Sequence, residues 1–153
     1  MPMTADRDEP VARQNHAEAC AAEMWAQDRA SQGLGMRIDS VAPGAAVVSM
    51  PVRADMTNGH GMCHGGFIFT LADSAFAFAC NSHGPHAVAQ HCAISFVKPA
   101  KLGERLSARA TERVREGRSG IYDITVTNER GDTVAEFRGN SRTIGGAWGE
   151  ATA

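Results

Sequence analysis

Three hydrophobic rhythms run along the chain, and each predicts a different kind of element. From Ala12 to Ser31 the residues Ala17, Cys20, Ala21, Met24 and Trp25 recur at i, i+3 and i+4 spacing. That spacing predicts an amphipathic helix, with Gly33 and Gly35 supplying its stop. From Gly65 to about Ser82 a second helix carries Phe67, Ile68, Phe69, Leu71, Ala72, Ala75, Phe76, Phe78 and Ala79, which leave almost no polar face. A helix apolar nearly all round belongs at the centre of a structure.

The third rhythm is alternation. Leu106, Ala108, Ala110 and Val114 fall on one face of Arg105–Arg115, and Tyr122, Ile124 and Val126 on one face of Ile121–Asn128. Further strands are predicted over Met36–Val41, Ala45–Val52, Ala87–Val97 and Thr133–Ile144. Pro43-Gly44 joins the first two as a hairpin, and Lys98-Pro99, Gly103 and Arg130-Gly131-Asp132 punctuate the four strands after the second helix, as expected for an antiparallel meander. The sheet must wrap the apolar helix. The predicted class is therefore α+β: a hotdog fold, with a curved antiparallel sheet of five to six strands around one long central helix. One domain is expected over residues 12–145, between flexible tails at 1–11 and 146–153.

Composition supports a globular chain. Of 153 residues, 43% are hydrophobic and 21% charged, which leaves enough apolar surface for a core without disulfides or metals. The net charge of −2 argues against a protein that neutralises many phosphates, so no nucleic acid partner is expected. The four cysteines form no Cys-x-x-Cys pair and the first residues lack signal-peptide character, which together predict reduced thiols in the cytoplasm. The apolar run from Gly65 to Cys80 is too short for a bilayer and carries Asp73, so no membrane role is expected.

Charge distribution sharpens the picture. Residues 98–142 carry 10 basic and 7 acidic side chains, whereas Met56 to Val97 hold a single formal charge, Asp73. Such a gap predicts a segment withdrawn from water, where a carboxylate without partners is costly. Asp73 then reads either as a base or nucleophile made reactive by desolvation, or as a structural aspartate satisfied by Thr70 or Ser74. The loop Asn58–Gly66 meets the same helix at its N-terminus, where backbone N–H groups lack partners and partial positive charge collects. Gly65 and Gly66 let a ligand carbonyl approach those amides, or they simply make the turn. Five histidines share this region, but their spacing fits no zinc pattern, and no metal is expected. His60, His83 and His86 read as loop residues, and His64 as the better placed to orient the loop or touch a substrate.

The run from Asn58 through His64-Gly65-Gly66 and Leu71-Ala72-Asp73 to Ser82 resembles the phenylacetic acid degradation thioesterases, bacterial hotdog-fold acyl-coenzyme A thioesterases. Ala87-Val88-Ala89, Cys92, Phe96, Lys98-Pro99, Gly120 to Asp123 and Phe137-Arg138-Gly139 extend the resemblance over roughly Ala17 to Gly146. It implies hydrolysis of an aryl- or arylacetyl-CoA thioester, with Asp73 as general base or nucleophile and the Gly65 N–H as oxyanion donor. Asn58 and His64 would lie near the thioester and its sulfur. Gly66, Lys98, Pro99 and Lys101, together with the turn Arg115, Gly117, Arg118 and Ser119, would bind substrate and coenzyme A. Gln90 stands where some relatives carry a water-orienting Ser. Coenzyme A enters as part of the substrate, so no separate cofactor is implied. A hydratase or dehydratase on the same scaffold and a non-catalytic acyl-CoA-binding protein are the alternatives.

Helix geometry adds an assembly. Gly65 and Asp73 are eight residues apart, or about 12 Å along the axis, too far to act on one carbonyl. Two such helices antiparallel across a two-fold axis remove the difficulty. A homodimer with shared sites is expected, and the resemblance implies a dimer of dimers.

Overall fold

The computed structural model describes residues 5–150, with side chains from Glu9 onward. Helix α1 spans Ala5–Gln27 and buries Ala17, Cys20 and Ala21, the stripe predicted from spacing. It differs from expectation at both ends. It starts inside the segment read as a tail, because Pro10 near the first turns removes one hydrogen bond without ending the helix. Residues 1–4 of that tail lie outside the described residues. At the other end Asp28 breaks the helix by capping a separate short one, α2 (Arg29–Gly33), accepting from Ser31 N–H at 2.9 Å and from Ser31 Oγ at 2.6 Å.

Six strands follow: β1 Arg37–Ala42, β2 Ala45–Pro51, β3 Pro85–Phe96, β4 Arg105–Glu116, β5 Ser119–Thr127 and β6 Thr133–Ala147. All pairings are antiparallel, in the order β1-β2-β4-β5-β6-β3. β1 and β2 form the hairpin predicted at Pro43-Gly44. Of the four strands expected to form a meander, β4, β5 and β6 do so and β3 does not. Helix α3, Gly65–Cys80, intervenes between β2 and β3, crosses the sheet and delivers β3 to the far edge. This is the hotdog arrangement predicted, with six strands.

The core is the contact between α3 and the concave face of the sheet. Ile68, Leu71, Ala72, Ala75, Phe76, Phe78 and Ala79 are buried against Val48, Met50, Leu106, Ala108, Ala110, Tyr122, Ile124, Val126 and Phe137. Burying such side chains contributes roughly 25 cal/mol per Å² of apolar surface, the main drive for wrapping the helix. Gly139 fixes how closely the two approach, since a Cβ there would lie 2.8 Å from the Phe76 ring. Val114 departs from the predicted inward face and is exposed. A bulge between Glu112 and Val114 interrupts the alternation where β4 outruns the core.

Two regions differ from the sequence reading in ways that bear on function. The uncharged stretch from Met56 to Val97 is buried mainly through α3, with Met56, Cys63, Asn81 and Ser82 flanking it. Its second half is dominated by β3, an edge strand exposed over most of its length, with Val88 and Phe96 about half exposed and Val97 just beyond its end more so. An uncharged, partly apolar free edge is unusual for a monomer and is the geometry of strand-to-strand association. The C-terminal segment is also more than a tail. Strand β6 continues to Ala147, Trp148 N–H donates to the Gly84 carbonyl at 2.7 Å, and Gly149 N–H donates to Glu23 Oε2 at 2.7 Å. His86, expected in a loop, lies in β3 with its ring against Trp148. Residues 151–153 fall outside the described residues. Among the described residues no helix is long and apolar enough to cross a membrane.

Candidate active site

The loop before α3 is organised by Asn58. Its Oδ1 accepts from the N–H groups of His60 at 2.9 Å and Met62 at 3.3 Å, and its backbone N–H and carbonyl pair with Met62 and Gly61. With Oδ1 so engaged, Nδ2 has no acceptor among the described residues and remains a donor in the adjacent cleft. Cys63 N–H donates to the Ala100 carbonyl, and Met62 bridges Lys101, so the Lys98–Lys101 segment is laced to the same loop.

At the helix start, His64 is the N-cap. Its Nδ1 accepts from Gly66 N–H at 3.0 Å, which places the proton of the neutral ring on the outward Nε2. The His64 carbonyl accepts from Phe67 N–H at 3.0 Å. Of the first three N–H groups of α3, two are therefore committed, and among the described residues only that of Gly65 has no partner. It opens into a cleft of about 370 Å³ lined by Asn58, Met62, Cys63, Ile68, Phe96, Val97, Lys98 and Pro99. The Phe96 ring packs on Gly65 so closely that a Cβ there would sit 2.9 Å from it.

Two turns further along α3 stands Asp73, half-buried and without a hydrogen-bond partner among the described residues. The neighbours that would have made it structural are occupied elsewhere: Thr70 Oγ1 donates to the Gly66 carbonyl at 2.8 Å, and Ser74 Oγ pairs with Ser31 Oγ at 2.8 Å. Burial raises its pKa above the ordinary carboxylate value, and the negative charge of Asp28 adds to the shift. Asp73 opens into a second cleft, of about 260 Å³, lined by Met24, Phe76, Ala77, Cys80, Asn81, Ala87, Val88, Ala89 and Trp148. Each cleft holds one cysteine, and neither suits a nucleophile at neutral pH. Burial pushes Cys63 up to about 11; burial and the nearby Asp73 charge push Cys80 up to about 12.

The remaining predicted residues divide between the two ends. Lys98 and Pro99 line the Gly65 cleft, with Lys98 also paired to Asp132 at 2.8 Å and Lys101 exposed beside them. Gly66 is exposed at the helix start. Arg115, Gly117, Arg118 and Ser119 form the β4–β5 hairpin, with Gly117 at φ +57° in the turn. That hairpin borders Cys80 and Ala87 and so lies on the Asp73 side. The two basic segments sit at opposite ends of β4, about 36 Å apart for twelve residues of strand. One chain does not bring them together. Gln90 occupies the bulge of β3 between Ala89 and His91, exposed on the free edge. The sequence reading placed Met24 only in the apolar stripe of the first helix and did not single out Trp148; a tryptophan in a glycine-rich terminal segment was the available signal.

Comparison with known proteins agrees with this architecture. Residues 60–135 match the thioesterase superfamily. Acyl-coenzyme A thioesterase PaaI of Escherichia coli is 49% identical over 123 residues, covering 80% of this chain and 88% of that protein. The structure of the E. coli PaaI protein from the phenylacetic acid degradation operon superimposes with a TM-score of 0.86 at 46% identity, covering 88% of this chain and 97% of that one. A Streptococcus mutans protein bound to acetyl-CoA aligns with a TM-score of 0.70 at 29% identity, covering 72% and 90%. The chain belongs to the thioesterase superfamily and is a thioester hydrolase of the hotdog fold.

Proposed function

We propose that the protein hydrolyses an aryl- or arylacetyl-CoA thioester to the free acid and coenzyme A. The relatives named as acyl-coenzyme A thioesterase and as bound to acetyl-CoA support the coenzyme A ester, and the link of one of them to phenylacetic acid degradation supports the aryl group. The observation that carries the reading is that α3 holds one free backbone donor, Gly65, and one free carboxylate, Asp73, each open to its own cleft. The Gly65 N–H stabilises the negative charge that develops on the thioester carbonyl oxygen. Asp73 acts on the carbonyl carbon, as general base for water or as nucleophile, and its raised pKa brings its basicity toward the working range. The Asn58 amide and the His64 Nε2–H are donors beside the same cleft, suited to the thioester and its departing sulfur.

The separation of Gly65 and Asp73, about 12 Å, requires that the two act from different subunits. In a homodimer related by a two-fold axis, the Gly65 end of one α3 faces the Asp73 region of the other, and the free edge of β3 is the surface available for the pairing. The same symmetry brings Lys98 and Lys101 of one subunit toward the Arg115–Ser119 hairpin of its partner, a pair of basic segments able to hold the coenzyme A phosphates. Gln90 then lies on the edge strand at the interface. The test is a free-thiol assay of the purified protein with phenylacetyl-CoA. Release of coenzyme A at a rate proportional to enzyme is expected; binding without release would identify an acyl-CoA-binding protein instead.

A further inference from the structure

The cleft that holds Asp73 is walled by a residue from the far end of the chain. Trp148 is held by its backbone N–H, its indole N–H and one face of its ring. Its indole Nε1–H donates to Asn81 Oδ1 at 2.9 Å, and its ring lies against that of His86 at a centroid distance of 4.2 Å. Gly146 permits this approach: its φ is +97°, and a Cβ there would sit 2.7 Å from His86 Nδ1. Asn81 in turn spends its whole hydrogen-bonding capacity on structure, donating to the carbonyls of Ala77 and Ala87 and accepting from Ala87 N–H and the indole. It therefore offers nothing to a ligand. Apart from Asp73, the side chains left to face the cleft are apolar: Met24, Phe76, Ala77, Ala87, Val88, Ala89 and Trp148, with the buried Cys80 thiol.

Such a lining suits hydrocarbon and offers little to pantetheine amides or phosphates, for which the Gly65 cleft has Asn58 and Lys98. We infer that Trp148, with Met24 beside it, is the specificity-determining wall of the acyl subsite, against which the aryl group of the substrate packs beside Asp73. The rigid indole presents a flat apolar surface whose ordering cost is met on folding, so discrimination favours a ring over a short acyl chain. The inference rests on the proposed acyl-CoA hydrolysis, and it concerns a ratio between substrates rather than activity itself.

The experiment compares the assembled wild-type protein with Trp148→Leu and Trp148→Phe on phenylacetyl-CoA, acetyl-CoA and the phenylacetyl thioester of N-acetylcysteamine. In Trp148→Leu, kcat/KM for both phenylacetyl thioesters should fall about tenfold, the scale of one lost apolar contact in a pocket, while that for acetyl-CoA stays within about twofold. Trp148→Phe should keep the wild-type ratio. An equal fall for phenylacetyl-CoA and acetyl-CoA, a fall confined to the coenzyme A esters, or an unchanged ratio would each overturn the inference. If Trp148→Leu does not fold, Met24→Ala carries the same ratio test from the same cleft. Failure of the wild-type protein to hydrolyse any of the three would instead count against the proposed reaction.

Discussion

The two ends of the working stretch of α3 are built on opposite principles. At its start, the chemistry is chiefly backbone: His64 takes up the N–H groups of Gly66 and Phe67 and leaves that of Gly65, in a loop tied by Asn58. Two turns on, the chemistry is a side chain: Asp73 is left without a donor because Thr70 and Ser74 are engaged elsewhere. One region offers hydrogen-bond donors and a lysine, the other a carboxylate in apolar surroundings. Each lacks what the other holds. A donor and an acceptor this close on one helix, yet unable to meet, are what the proposed shared site rests on: each would act with the other's counterpart from a second subunit.

The comparison breaks most sharply at Asp73. Asp73→Asn keeps the shape and removes the base, so turnover of phenylacetyl-CoA should fall at least about 100-fold with the protein still folded. The same variant should be more heat-stable than wild type at neutral pH. A carboxylate whose folded pKa is raised stabilises the native state only in acid, and that contribution is lost as pH rises through the folded value. The advantage of Asn should therefore shrink as pH falls through Asp73's folded pKa and be absent below the ordinary carboxylate value, about 4. Thermal melts across pH, with the two proteins in parallel, measure it. Gly65→Ala attacks the other half. The added Cβ meets the Phe96 ring and stands where the carbonyl must approach, and the expected loss is about 10- to 100-fold in kcat/KM, the scale of a misplaced reacting group. Adding Phe96→Leu relieves the clash inside the protein, so activity that stays low in the double variant separates the blocked carbonyl from a disturbed helix start.

Much of this was legible in the sequence, for reasons that can be named. The apolar run of α3 had no surface to lie on, so a wrapping sheet was required. Asp73, the lone charge between Met56 and Val97, announced itself by contrast. Periodicity gave no sign that β3 would be carried past three strands to an edge, because pairing order depends on where α3 crosses. Nor did it separate the two causes of an uncharged segment, burial in α3 and a free edge in β3. The position of Trp148 in the Asp73 cleft was hidden because it depends on Asn81, His86 and Gly146 meeting in space, each unremarkable alone.

A smaller effect sharpens the account of Asp73. Asp28 raises its pKa through space while capping α2 through Ser31. Asp28→Asn keeps a capping oxygen and removes the charge, so the acidic limb of the kcat/KM profile should move to lower pH with its plateau retained. An unmoved limb would separate Asp28 from the base, and a limb that persists in Asp73→Asn would assign it to another group.

The central claim is that every site takes its donors from one subunit and its carboxylate from the other. Mixing two inactive proteins, Asp73→Ala and Asn58→Ala/His64→Ala, under conditions that exchange subunits tests it directly. In a mixed dimer one site collects both lesions and the other collects none, so activity should return to about half that of wild type per mixed dimer. Mixed dimers that form, verified by isolating them through two different affinity tags, and that remain inactive would contradict the shared site.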